Sequence, residues 1–248
     1  MNHTSGLVTN WMVLYPTMLD KDPDGNLKSF IDDYFYVGGK YYSTGNISHF
    51  APGEKFEYSN VGVTLLAHVV EKVTSRDFKN YCNDEIFVAL GMNNTSWFLT
   101  EKVKRYAVPY KSFFGLPKRH GYYSAPFYPA GFLKTTAGDL SKIGVLFLQA
   151  HSGIKNTIIS TKSLNDMIKP QDGVVSDHWD KMGLILQINN VDSREIIGHT
   201  GGFYGMSSLL FTDFNSNSGA LILTNGDWRS DTGYKRLNEK PMTNLLMQ

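Results

Sequence analysis

The apolar pattern of this chain changes its period once, and that change bounds the folds open to it. Through about residue 170, wherever apolar residues recur regularly, they do so every three or four positions. Val63, Leu66, Ala67, Val70 and Val73 mark one face of a helix over about 60–74, and Phe78, Tyr81, Cys82, Ile86 and Phe87 mark a second over about 77–88. Leu140, Ile143, Leu146 and Phe147 predict a third over about 137–149, and a shorter one follows at about 160–168. Beyond that the runs become strand-like. Residues 182–188 and 194–198 read as one pair, and 206–211 and 219–224 as another, joined by a polar turn at 213–218. A last helix is expected over about 231–247. Helices first, then an antiparallel sheet closed by a terminal helix, predict an α+β fold. The expected organisation is one domain over 1–248, with a mainly helical and loop lobe at 51–181 and sheet strands with a terminal helix at 182–248.

Punctuation supports these boundaries. Asp22-Pro23-Asp24-Gly25 and Ala51-Pro52-Gly53-Glu54 carry turn chemistry. Ser59 or Asn60 reads as the cap of the 60–74 helix, and Gly91 as the stop after the second. Residues 93–130 are rich in Tyr, Phe, Pro and Gly and weakly periodic; a long irregular excursion of this kind in a compact domain reads as a lid or a pocket wall.

Composition removes several classes of function. A net charge of +1 with 19% charged residues offers no basic excess for nucleic acid or an anionic membrane. No window is apolar for the roughly 18 residues of a membrane span. The seven histidines are scattered without metal-ligand spacing, so neither a metal nor another cofactor is expected. The single cysteine, Cys82, sits in an apolar helical pattern and is read as a core thiol.

Four short segments can carry chemistry. Tyr58-Ser59-Asn60 stands at a helix start, where Tyr58 either packs as a staple or accepts a proton; a free phenol titrates near about 10, so the second role needs cationic support. His199-Thr200-Gly201-Gly202 follows a strand-like run, and its paired glycines make either a plain turn or a close backbone approach that holds an oxyanion or a peptide. His3-Thr4-Ser5-Gly6-Leu7 is, by itself, a polar turn, and the segment from Ala130 to Leu140 a loop feeding a capped helix.

Taken in order, HTSGL, APGEKFEYSNVGVTLLAHVVEKVTSRDF, EIFVALGMNNTSW, PAGFLKTTAGDL, GHTGGFYGMSS and ILTNGD resemble the serine β-lactamase-like superfamily, which includes class C β-lactamases, penicillin-binding proteins, D-aminopeptidases and related esterases. The resemblance implies an antiparallel sheet flanked by helices beside a helical lobe, with the active site between them. It matches Tyr58 and Asn60 to the family's Y-x-N element, and His199, Thr200 and Gly201 to K-T-G or H-T-G, with Gly202 giving an oxyanion-hole N–H. In such sites the tyrosine helps move the serine proton and the asparagine holds the substrate amide. His199 in place of lysine is expected to titrate near neutrality, to help keep Tyr58 partly ionised, and to make recognition of a substrate carboxylate weak or pH-dependent.

The family's S-x-x-K element lies upstream of HTSGL, which here begins at residue 3. The nucleophile helix and the first strands are therefore expected to be missing from this chain, and the chain alone to be inactive. One internal match, Ser152-Gly153-Ile154-Lys155, is expected by chance, and Gly153 is a poor helix residue. Expected partners are a small-molecule or peptide substrate, and a second copy of the chain through surface left bare by the missing part. A periplasmic or extracellular setting follows only from the resemblance. The alternative reading is a non-catalytic homologue that binds cell-wall-type peptides, with the aromatic 106–128 region lining a groove.

Overall fold

The computed structural model describes residues 1–24, 26–99, 105–113 and 116–226, without the side chains of residues 112 and 113. The helix expected over 231–247 lies outside these residues.

The helical lobe comes first. Short α1 (Trp11–Leu14) is followed by α2 (Leu27–Phe35), whose N-terminus is closed by Asn26 accepting the Ser29 N–H at 2.8 Å. The expectations above passed over α2, although Leu27, Phe30, Ile31 and Tyr34 stand at helical spacing and all four are buried. α3 (Asn60–Thr74) occupies the predicted span, with Ser59 Oγ accepting the Gly62 N–H at 2.9 Å. The second predicted helix is α4 (Phe78–Cys82) continued by a π-helical turn, Asn83–Phe87, and Gly91 follows at φ +64°. α2, α3 and the segment around Phe127, Tyr128 and Phe132 share one core, in which Leu14, Tyr34, Val61 and Phe127 are almost wholly buried. Cys82 packs with Phe87 and Met92, and burial pushes its thiol up to about 11, as befits an inert core residue.

Tyr34 joins this core to the loop ahead of α1. Its Oη donates to the Val8 carbonyl (2.8 Å) and accepts the Asn10 N–H (2.9 Å), at full burial. Tyr34→Phe keeps the ring and strands both backbone groups. It should cost about 1–3 kcal/mol in urea unfolding; an unchanged midpoint would show that water replaces the phenol.

The sheet has five antiparallel strands in sequence order: β3 (Lys181–Met182), β4 (Gln187–Val191), β5 (Arg194–Phe203), β6 (Met206–Asp213) and β7 (Ser218–Thr224). The pairings of 194–198 with its upstream neighbour and of 206–211 with 219–224 are present. The run 182–188 is not one strand. Gly183 presses against helix α6 (Thr161–Ile168), where a Cβ would lie 2.2 Å from the Met167 carbonyl oxygen, and Ile185 turns at φ +69°, so the chain doubles back and Met182 pairs with Gln187. The β4–β5 turn places Asp192 and Ser193 at φ +47° and +65°, the twist that a two-residue hairpin demands.

α5 (Ala137–His151) and α6 (Thr161–Ile168) cover one face of the sheet. Gly144 lets α5 approach Leu210 closely, and Ile188, Ile197 and Leu186 pack with Phe147 and Met167. On the opposite face Ile196, Leu209 and Phe211 form a second buried cluster.

The 93–130 excursion is less irregular than its sequence suggests. It contains a hairpin, β1 (Tyr110–Phe113) and β2 (Leu116–Arg119), and Tyr110 N–H reaches the carbonyls of Gly205 (3.2 Å) and Asn225 (3.0 Å). Asp22, read as part of a turn, instead ties three segments together. Its carboxylate accepts the Tyr122 O–H (2.6 Å) and the Leu99 N–H (2.8 Å), and lies 3.9 Å from the half-buried Lys134 ammonium.

Candidate active site

The site forms where the start of α3 meets β5. α3 presents Tyr58 and Asn60 at its capped end because Ser59 takes the cap and the residues on either side are fixed from outside. Thr9 Oγ1 accepts the Asn60 N–H at 2.7 Å and donates to the Tyr58 carbonyl at 3.4 Å. The side-chain amide of Asn60 has no hydrogen-bond partner among the described residues. Across the junction stands His199, and the rings of Tyr58 and His199 lie 6.3 Å apart at 48°. Two widely separated stretches of sequence are thus brought face to face.

β5 reaches the site on exacting terms. Its pairing with β4 ends at Gly198, opposite Gln187. Beyond that point the buried Gln187 side chain takes over, accepting the Thr200 N–H (3.2 Å) and donating from Nε2 to Thr200 Oγ1 (3.2 Å). Thr200 is therefore locked into the strand through both its backbone and its hydroxyl. A Cβ at Gly201 would meet the Ser208 hydroxyl at 2.4 Å, so that side chain would have to turn aside, and Gly202 pairs with Ser207. Past Gly202, Phe203 packs on Trp11 and Phe132, its carbonyl accepts the Tyr123 O–H (3.0 Å), and His120 stacks on Tyr204. The excursion thus lies across the end of the strand.

The imidazole of His199 is held in one tautomer. Its Nδ1 faces the Thr200 carbonyl, which can only accept, so Nδ1 carries the proton and Nε2 is left as the acceptor. Burial lowers its pKa, against a smaller raising effect of that hydrogen bond. Burial thus favours the neutral imidazole, against the expectation that His199 titrates near neutrality and helps keep Tyr58 ionised.

Three further residues belong here to which the sequence assigned no role. His3 lies on the Tyr58 ring with centroids 4.2 Å apart. Trp179 flanks Tyr58 at 6.3 Å and packs edge-on against Phe56. Gln187 is the third. Nothing local to HTSGL, or to the loop around Trp179, distinguishes a site residue from a turn. Burial pushes His3 down to about 4, helped by its proximity to His199. An unfolded histidine takes up its proton near pH 6.5, whereas the folded one resists until about 4. Stability should therefore fall as pH drops through that window, by about 3 kcal/mol from His3 once the drop is complete. Urea midpoints at pH 7 and pH 4 should show this loss in the parent and a smaller one in His3→Phe; equal losses would mean that other groups govern the acid limb.

Ser152 and Lys155 are both exposed at the C-terminal end of α5, and Gly153 breaks the helix between them at φ +77°. They neither share a helical turn nor approach Tyr58: the neighbouring His151 packs on Phe214, at the end of the sheet remote from Gly202. Among the described residues no cluster of three or more His, Cys, Asp or Glu is arranged to hold a metal ion, and no helix is long and apolar enough to cross a membrane.

The chain is similar to penicillin-binding protein 4* of Bacillus subtilis (strain 168), with 24% identity over 263 residues that cover 99% of this chain and 54% of the relative. It therefore spans about half the length of that relative. Among solved structures, the octameric penicillin-binding protein homologue of Pyrococcus abyssi superposes with a TM-score of 0.70 at 21% identity, over 99% of this chain and 54% of the other. The D-amino acid amidase of Ochrobactrum anthropi SV3 complexed with L-phenylalanine amide superposes with a TM-score of 0.70 at 20% identity, over 99% and 67%. These likenesses show the β-lactamase/transpeptidase-like fold, with its antiparallel sheet and flanking helices. The family profile described as Beta-lactamase matches residues 1–238, and the chain belongs to that family.

Proposed function

We propose that this chain supplies the proton-transfer and oxyanion half of a serine acyl-transfer hydrolase acting on an amide, ester or lactam carbonyl. The observation that carries the reading is the approach of the Tyr58 and His199 rings to 6.3 Å across the junction of lobe and sheet. In the proposed reaction Tyr58, held as the phenolate by the lysine of the family's S-x-x-K element, takes the proton of a serine hydroxyl as its oxygen attacks the carbonyl carbon, and returns that proton to the leaving group as the bond to it breaks. The tetrahedral oxyanion is held by backbone N–H groups, Gly202 among them. Water then cleaves the acyl-enzyme and regenerates the serine. Asn60 is assigned to the substrate amide, and Thr200 and Gly201 to the strand edge along which the substrate lies.

The neutral His199 narrows the substrate class. An imidazole with a lone pair at Nε2 serves as a hydrogen-bond acceptor and gives a free carboxylate no ionic partner. Esters and small amides therefore suit the site better than carboxylate-bearing lactams. The amide held by the Ochrobactrum neighbour is of that kind.

The nucleophile is assigned to a Ser–Lys helix other than the exposed Ser152 and Lys155. The test is covalent labelling with a fluorophosphonate or a fluorescent penicillin. The chain alone should not be labelled, whereas the chain joined to an S-x-x-K helix from a family member should be, in an Asn60-dependent manner. Labelling of the isolated chain at any serine would overturn the division of labour. If the joined protein retains a cell-wall-type peptide yet is never labelled, the reading as a peptide-binding homologue takes its place; the solvent-exposed position of the chain's own S-x-x-K favours that alternative. Self-association is part of the same proposal, supported by the octameric state of the Pyrococcus neighbour.

A further inference from the structure

We propose that His3 is a positioning residue for Tyr58, acting as the neutral Nε2–H tautomer; this rests on the reading of Tyr58 as the proton carrier. Three contacts converge. The His3 carbonyl accepts the Glu57 N–H at 2.7 Å, and its Nδ1 accepts the Ser59 N–H at 3.1 Å. The residues immediately before and after Tyr58 are thus both fastened to one histidine. Between those two bonds the imidazole lies on the phenol ring, with 4.2 Å between centroids and 36° between planes. Because Nδ1 accepts a backbone N–H, the proton of the neutral ring must be on Nε2.

This arrangement is costly in ways that packing alone would avoid. His3 holds φ +60°, a left-handed conformation unusual for a side-chain-bearing residue. Its Nε2–H is enclosed with no hydrogen-bond partner among the described residues, and the residue is only 8% exposed. An apolar ring here would carry no stranded donor. What an apolar ring lacks is the Nδ1 acceptor, which holds the Ser59 N–H and with it the entry into α3. Such costs collect where geometry serves a function. His199, protonated on Nδ1, presents the opposite tautomer, so the phenol is set beside one fixed donor ring and one fixed acceptor ring.

The experiment has two arms. In the full chain with 15N-labelled histidine, long-range 1H–15N spectra should show His3 as a single tautomer, protonated on Nε2 and bare on Nδ1. His3→Phe should expose the Ser59 amide to exchange about tenfold faster or more, while His3→Gln, which can still offer an oxygen acceptor, should restore part of that protection. In the joined, labelled protein described above, His3→Phe should lower the acylation rate about ten- to a hundredfold at unchanged substrate affinity. A core variant chosen to match its loss of stability should not. A protonated Nδ1, a mixture of tautomers, or an acylation rate equal to the parent's would each overturn the assignment. Absence of labelling in the parent would instead defeat the hydrolase reading and leave the spectroscopic arm intact.

Discussion

Tyr58→Phe should lower the acylation rate of the joined, nucleophile-bearing protein by about 10²- to 10⁴-fold, or roughly 3–5 kcal/mol of barrier, with little change in substrate affinity. The size follows from what the substitution removes. The ring of residue 58 lies on His3 at 4.2 Å and is flanked by Trp179 at 6.3 Å, and a phenyl group keeps both contacts. The backbone bonds from Glu57 and Ser59 to His3 do not involve the phenol at all. Only the O–H is lost, so a fall in rate reports proton transfer and not disrupted packing. Stopped-flow measurement of acylation, with unfolding midpoints as a control, decides the matter. A fall of less than tenfold would move the proton-carrying role to another group.

Gly198→Ala should disrupt the site from behind, at a cost of about 3–5 kcal/mol. An added Cβ would stand 2.0 Å from the Leu210 carbonyl oxygen and 2.6 Å from the Phe211 Cα. These are backbone atoms of β6 and cannot rotate away, so β5 and β6 must separate, and several ladder hydrogen bonds at about 1 kcal/mol each go with them. The displaced segment runs directly into His199 and Thr200, so the His199–Tyr58 approach should be lost as well. Gly201→Ala is the informative contrast, because the atom it meets, Ser208 Oγ, is the end of a side chain that can turn aside. Urea denaturation should rank Gly198→Ala well below Gly201→Ala, and equal midpoints would mean that the strands separate at little cost.

These two predictions mark different depths of legibility. α3 was readable to within a residue: a cap at Ser59 or Asn60, an apolar face and the preceding Pro-Gly turn are all local, and local hydrogen bonding with one buried face is enough to define a helix. The pairing of β6 with β7 was readable for the same reason, since its turn is built from Asp213 accepting the N–H groups of Asn215 and Ser216. The break at Gly183 was not. Its cause is the Met167 carbonyl at the end of a helix packed from elsewhere, and no window around 182–188 contains that atom. The β1–β2 hairpin escaped notice because both strands of residues 110–119 are short, and the described part of β2 is exposed throughout, with no alternation to detect.

The amino-acid order by itself determined the class of fold, the helix that presents Tyr58 and Asn60, and the strand-like run that ends at Gly198. Each of these follows from residues near one another in the chain. Only the tertiary structure decided that the strand continues through His199, Thr200, Gly201 and Gly202, that His199 is a half-buried acceptor held in one tautomer, that Gln187 completes the edge of β5, and that His3 grips Tyr58 from both sides. Charge state and tautomer depend on how much water a ring keeps and on which carbonyl or N–H it meets, and folding supplies both from distant parts of the chain.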